Sequence, residues 1–260
     1  MTIPLLPGNP PELVVLDHLS PCPYLPGRVA RMPLRLPVRM LEPGQLEVRL
    51  AAGDRRQGAM LYRTACPACR ACEPIRLDVT RFRASGSQRR IFQRGERVFR
   101  VEVGPPRVDT ERVALYNAHK CARGLGDGQP PIGADGYREF LVNTCCESFE
   151  LAYYVGDELA AVAVVDRGSF SLSAVYCHYS PRFARFGPGT YSIMKQVELC
   201  QRWGLRHLYL GLYIAESSAM QYKARYLPHE RLIDGEWREL DAAAAAARDS
   251  ATRQQSPVMK

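Results

Sequence analysis

Residues 149–181 read FELAYYVGDELAAVAVVDRGSFSLSAVYCHYSP, three apolar-rich runs separated by Gly-Asp and Asp-Arg-Gly. Turn residues between β-branched and aromatic runs predict three consecutive strands. The next stretch, GPGTYSIMKQVELCQRWG at 187–204, changes period. There Ile193, Met194, Val197, Cys200 and Trp203 recur at helical spacing, a Gly-rich turn opens the run and Gly204 closes it. LRHLYLGLYI at 205–214 alternates again, with Leu208, Leu210, Leu212 and Ile214 expected on one face and Tyr209 and Tyr213 on the other. SSAMQYKARYLP at 217–228 reads as a short helix, capped by Ser217 or Ser218 and stopped by Pro228.

The order β-β-β-α-β-α, with a glycine-rich loop before the long helix, predicts an α/β (α+β) domain of acyltransferase type. Upstream, GPPRVDT at 104–110 reads as a linker, and Asp109 or Thr110 caps an expected helix through ERVALYNAHKCARG. IRLDVTRF at 75–82 alternates as a strand does, and RASGSQRRIFQRGERVFR at 83–100 is densely basic. Residues 1–45 are too rich in proline for a long helix or a central strand. They are expected to pack as extended pieces. The expected organisation is a basic, cysteine-bearing N-terminal domain over 1–104, a catalytic domain over 105–240 and a disordered tail over 241–260.

The net charge of +8 is unevenly spread. Residues 1–100 hold 17 Arg and no Lys against 8 Asp and Glu, whereas residues 101–260 hold 18 Lys and Arg against 19 Asp and Glu. Codon bias explains a preference for Arg over Lys, but not the scarcity of acids in one part. A one-sided basic region is the footprint of a protein that binds a polyanion such as nucleic acid. No apolar run approaches the ~20 residues of a membrane helix. The opening lacks the basic start and apolar stretch of a secretory signal, so a cytoplasmic location is expected.

Nine cysteines without such a signal point to a reducing compartment, where clustered thiols more often bind metal than pair. ACPACRAC at 65–72 sets Cys66, Cys69 and Cys72 at three-residue steps, and PCPYLPG supplies Cys22 as a fourth donor. The spacing suits zinc; it also matches the start of a ferredoxin cluster motif, without its last cysteine. Zinc and an iron–sulfur cluster both remain open, beside the plainer reading of small buried thiols. The remaining cysteines, Cys121, Cys145, Cys146, Cys177 and Cys200, are expected to be packing residues.

Seven motifs in order, CPYLPG, CPACRACEPIRL, SGSQRR, AVYCHYSP, FGPGTYSI, LYLGLYI and MQYKARYLPHE, closely resemble the bacterial aminoacyl-tRNA–protein transferases. These are leucyl transferases for N-terminal Asp or Glu, related to the eukaryotic arginyl-tRNA–protein transferases. The resemblance runs from about residue 15 to 240. It implies a GNAT-like catalytic domain and transfer of leucine from leucyl-tRNA to the α-amine of a protein beginning with Asp or Glu, which marks that protein for the N-degron pathway. It also implies a cysteine-bearing N-terminal region, which holds an iron–sulfur cluster in some eukaryotic relatives. The family's GxFRRSG motif stands here as GDRRQG, keeping Arg55, Arg56 and Gly58.

The residues suit such chemistry. An aminoacyl ester is already activated, so no ATP is needed, and no G-x4-GK[ST] loop is present. The nucleophile is an α-amine of pKa roughly 7.7–8.0, so the chemical demand is positioning and oxyanion donors. Reading an N-terminal carboxylate calls for arginine; Arg55, Arg56, Arg89 and Arg90 are the candidates, with tRNA phosphates as their alternative partners. Gly187 and Gly189 open a helix whose N–H groups could hold a phosphate or an oxyanion. Tyr222, Lys223 and Tyr209 are candidates for the reacting centre, weighed against a solvated lysine and core tyrosines. Two rivals stand: a CoA-dependent N-acetyltransferase, disfavoured because Ala184 occupies the position where that motif needs Arg or Gln, and a non-catalytic RNA-binding module. Leucine and arginine as donor are not distinguished.

Overall fold

A computed structural model describes residues 4–125 and 130–254. The N-terminal segment holds β1 (Leu5–Leu6), β2 (Glu12–Leu16), β3 (Leu19–Pro21), β4 (Val29–Arg31), β5 (Leu34–Pro37), α1 (Pro43–Ala51), β6 (Arg55–Gln57) and β7 (Met60–Tyr62). After them come β8 (Glu73–Asp78), α2 (Gly86–Val98), β9 (Arg100–Gly104), α3 (Thr110–Ala122) and α4 (Ala134–Tyr137). The remainder is β10 (Ser148–Val155), β11 (Glu158–Arg167), β12 (Ser171–Tyr179), α5 (Pro188–Arg202), β13 (His207–Tyr213), β14 (His229–Ile233), β15 (Glu236–Leu240) and α6 (Ala242–Gln254).

The strands form a small sheet, β1-β2-β5-β7-β6, and a large one, β15-β14-β8-β13-β12-β11-β10-β9; β3 and β4 pair separately. This is the mixed α/β architecture the sequence predicts, with β10, β11, β12, α5 and β13 in the expected order. One face of the large sheet is covered by α2 and α5, where Tyr191, Met194, Val197 and Cys200 pack on Leu151, Tyr153, Ala161 and Leu208. The other face carries Leu115 and Tyr116 of α3, and beside them Leu46, Leu50 and Leu61 of the N-terminal segment.

Three expectations change. The boundary at 104 does not divide the sheet, because β8 inserts between β13 and β14 and β9 pairs with β10. Both strands bring backbone donors and acceptors that a sheet edge otherwise leaves unpaired. Residues 242–254 are helical rather than a disordered tail: Asp249 binds the fully buried Arg231 at 2.6 Å, and Arg248 binds Glu73 at 2.7 Å. Residues 255–260 lie outside the described residues. The basic stretch at 83–100 is largely α2, which the arginine density hid. Its signature is Ser85 with Gln88, a capping box in which each side chain bonds the other's backbone.

Candidate active-site cleft

Only the first residues of the parallel pair β12–β13 are hydrogen-bonded: Ser171, Leu172 and Ser173 face His207, Leu208 and Tyr209. Just beyond, both strands carry a bulge. The β11–β12 register shifts at Val175 and the β13–β8 register shifts at Leu210. A bulge bends its strand and re-aims the side chains beyond it, so two facing bulges open the sheet. The opening is a cleft of about 560 Å³ that both bulge residues line.

The bulge also corrects an expected alternation. Tyr209 packs with Leu46, Leu50 and Trp237 on one face, while Tyr213 joins the core on the other. Tyr209 accepts a hydrogen bond from Arg76 at 3.0 Å and does not line the cleft. It is a packing residue.

Gly187, Pro188, Gly189 and Thr190, the first turn of α5, form one wall. Gly187 takes φ +67°, and a Cβ there would meet Ile91 of α2 at 3.2 Å, so the turn needs glycine. No side chain caps this helix, which leaves the N–H groups of Gly189 and Thr190 directed out of its end. The expected glycine turn is therefore in the cleft. Deeper in, Tyr153 donates to Ser192 at 3.0 Å, Gln196 donates to the same oxygen at 3.1 Å, and Gln196 Oε1 is buried without a donor. Sequence reasoning missed Gln196 because its place on α5 resembles any buried helix position.

Lys223 lies on a short 3-10 turn, Gln221–Arg225, instead of the expected helix. It is buried, not solvated, and its Nζ donates to Leu212 O at 2.6 Å. Burial, reinforced by nearby Arg55, pushes its ammonium down to about 7. Tyr222 lines the same wall and is 42% exposed. Arg55 reaches this wall from β6: Nη1 donates to Ser173 Oγ at 3.4 Å and Nη2 to Ala174 O at 3.2 Å.

The other candidate arginines are elsewhere. Arg56 is buried on Asp166 at 2.8 Å and on the carbonyls of Gly58 and Asn143, which makes it a structural residue. Arg89 and Arg90 are exposed on α2 and do not line the cleft. They stand near its rim, since Ile91 lies under Gly187 and Gln88 donates to the carbonyl of Arg225.

Cys22, Cys69 and Cys72 pack around Leu25 and Ile214, while buried Cys66 accepts from the backbone N–H of Arg31 at 3.5 Å. Burial and the neighbouring thiols Cys69, Cys22 and Cys66 push Cys72 up to about 12. Four free thiols in one neighbourhood suit a thiophilic metal by chemistry. As they stand, no three His, Cys, Asp or Glu side chains among the described residues are grouped to hold one ion. Among the other cysteines, Cys145, Cys146 and Cys200 are buried as expected; Cys121 is exposed and Cys177 lines the cleft.

Among the described residues no helix is long and apolar enough to cross a membrane. Residues 20–90 match the family described as "Arginine-tRNA-protein transferase, N terminus", and residues 111–233 match its C-terminal counterpart. The chain is 36% identical over 239 residues to the aspartate/glutamate leucyltransferase of Thiobacillus denitrificans, covering 91% of this chain and 99% of that one. The leucyltransferases so named in Chromobacterium violaceum and Halorhodospira halophila are 35% and 37% identical, each over 85% of this chain and 90% and 94% of theirs. An uncapped helix end and the cations Lys223 and Arg123 in one cleft lining suit acyl transfer from an anionic carrier, and the chain belongs to the arginine-tRNA-protein transferase family of aminoacyltransferases.

Proposed function

We propose that this enzyme moves leucine from leucyl-tRNA to the α-amine of proteins that begin with Asp or Glu. One observation carries the choice of substrates: among the described residues the cleft lining combines apolar groups (Ala174, Val175, Ile193, Leu210, Met220) with the cations Lys223 and Arg123 and holds no carboxylate. A buried arginyl side chain would need an acidic partner, because unpaired buried charge is strongly unfavourable. A leucyl side chain needs only apolar walls, and an acidic N-terminus needs the cations.

In the reaction the amine nitrogen attacks the ester carbonyl carbon. The new C–N bond forms, the bond from that carbon to the tRNA ribose oxygen breaks, and the oxygen leaves with the proton the amine gives up. Gly189 and Thr190 N–H groups are suited to the oxyanion that appears between these events. Tyr222 is suited to close the mouth over the ester. Arg89 and Arg90, with Arg94 and Arg97 on the same exposed helix, would hold tRNA phosphates.

Three further assignments belong to this reading: a thiophilic metal or iron–sulfur centre at Cys22, Cys66, Cys69 and Cys72, a cytoplasmic location, and a place in the N-degron pathway. The test is transfer of labelled leucine or arginine from each charged tRNA onto peptides beginning with Asp, Glu or Arg. Leucine on the Asp and Glu peptides is expected. No product from any pair, with active tRNA confirmed, overturns the reading.

A further inference from the structure

Arg55 and Lys223 form an anomaly that the fold alone does not explain. Both are buried basic groups, and neither has a carboxylate within hydrogen-bond distance among the described residues, Asp166 acting on Arg55 only from farther off. Their heads converge on Gly211: a Cβ built there would lie 3.1 Å from Arg55 Nη2 and 3.4 Å from Lys223 Nζ. Gly211 has φ +89°, so this strand position suits glycine both in backbone and in space. Two like charges held together away from water repel each other, which leaves Lys223 partly neutral near pH 7, and an anion that arrives between them favours the charged form of both. The neighbouring arginine shows the contrast, since Arg56 has its own buried carboxylate in Asp166.

We propose that Arg55 and Lys223, seated over Gly211, are the receptor for the side-chain carboxylate of the acceptor protein's first residue. Lys223 lines the cleft, and Arg55 binds the carbonyl of Ala174, a cleft-lining residue, so both reach the same wall. An Asp or Glu side chain placed there accepts from Nη2 and Nζ together. Its α-amine, separated from the carboxylate carbon by the Cα and one methylene in Asp or two in Glu, is then held toward the first turn of α5. An amide side chain at the same place leaves both charges unpaired. The assignment rests on the acidic-acceptor reading above and makes it specific to two residues.

The test compares wild type with Lys223→Met, Lys223→Arg and Arg55→Met, using peptides that differ only in beginning with Asp or Asn. Peptide binding by calorimetry is measured first, without tRNA, and leucine transfer second. Wild type is expected to favour the Asp peptide, and Lys223→Met to lose about 30-fold or more of that preference, largely in KM, with Lys223→Arg recovering part of it. The KM for leucyl-tRNA stays unchanged. Lys223→Met also removes the donor to the buried carbonyl of Leu212, so its melting temperature is read beside the peptide preference: a merely structural lysine lowers stability and weakens the Asp and Asn peptides alike. If Lys223→Met keeps the full Asp preference, the receptor is elsewhere and the proposal fails. Should wild type transfer no leucine yet bind the Asp peptide in this way, the transfer reading fails and the receptor stands.

Discussion

Arg56 of β6 and Asp166 of β11 meet at 2.8 and 3.0 Å across 110 residues of chain, both fully enclosed. This pair pins the N-terminal segment to the large sheet. Its neighbour Arg55 runs instead to the cleft wall at Ala174. Adjacent arginines of one motif therefore have opposite duties. Arg56→Ala is expected to cost about 3–5 kcal/mol, because it strands a buried carboxylate. Urea unfolding measures this, and a destabilisation under about 1 kcal/mol would refute the pinning role.

Gly95 sits in the interior of α2 against the ring of Tyr191, where a Cβ would come within 2.1 Å of Cδ2. Glycine inside a helix normally costs roughly 0.5–1 kcal/mol relative to alanine. Here the sign reverses. Gly95→Ala is expected to destabilise by ~1–3 kcal/mol through overpacking and to disturb the packing of α2 on α5 that supports Gly187. A stabilised Gly95→Ala protein in the same unfolding assay would show that the tyrosine ring yields freely.

The exposed arginines of α2 give an ionic-strength test. Replacing Arg94 and Arg97 with Gln is expected to lower the slope of log affinity against log salt for leucyl-tRNA by up to ~2, about 0.9 for each phosphate that is no longer neutralised. Peptide KM stays as it was. Filter binding from low to high salt reads the slope, and an unchanged slope would move the RNA track to another face.

His178 is fully buried beside Tyr137, whose hydroxyl lies 3.3 Å from Nε2, with the rings of Tyr116 and Tyr176 against it and His119 and Arg112 nearby. Burial first, and then the charges of His119 and Arg112, push it down to about 3. The unfolded chain binds a proton near pH 6.5 that the folded chain refuses, so stability falls as pH drops from about 6.5 toward 3. The slope from this one group is ~1.4 kcal/mol per pH unit. Between about pH 7 and 5, wild type is expected to lose about 2 kcal/mol more than His178→Gln. Parallel losses would assign the acid sensitivity elsewhere.

For the thiol neighbourhood, metal analysis of anaerobically purified protein is expected to find bound zinc or the visible absorption of an iron–sulfur centre. Cys69→Ser should lose it together with thermal stability, since site binding and folding are coupled. Metal-free wild type with full stability would make the four cysteines packing residues.

Much of the central fold was legible locally. Strands 148–155, 158–167 and 171–179, helix 188–202 and the Asp109 cap each announce themselves through period and turn chemistry over a short span of chain. So does the glycine turn at 187–189. The helix at 86–98 carried its signal in Ser85 and Gln88 under a surface of arginines.

The rest depends on what the chain meets far away. Sequence alone determined the α/β order, the basic character of the first hundred residues and the family's motifs, because these are properties of neighbouring residues and of composition. Only the tertiary structure decided which arginine is structural and which reaches the cleft wall, that Tyr209 turns away, and that Lys223 is buried beside Arg55. The physical reason lies in the bulges at Val175 and Leu210: one extra residue in each strand reverses which side chains face inward, and the partners that then meet stand far apart along the chain.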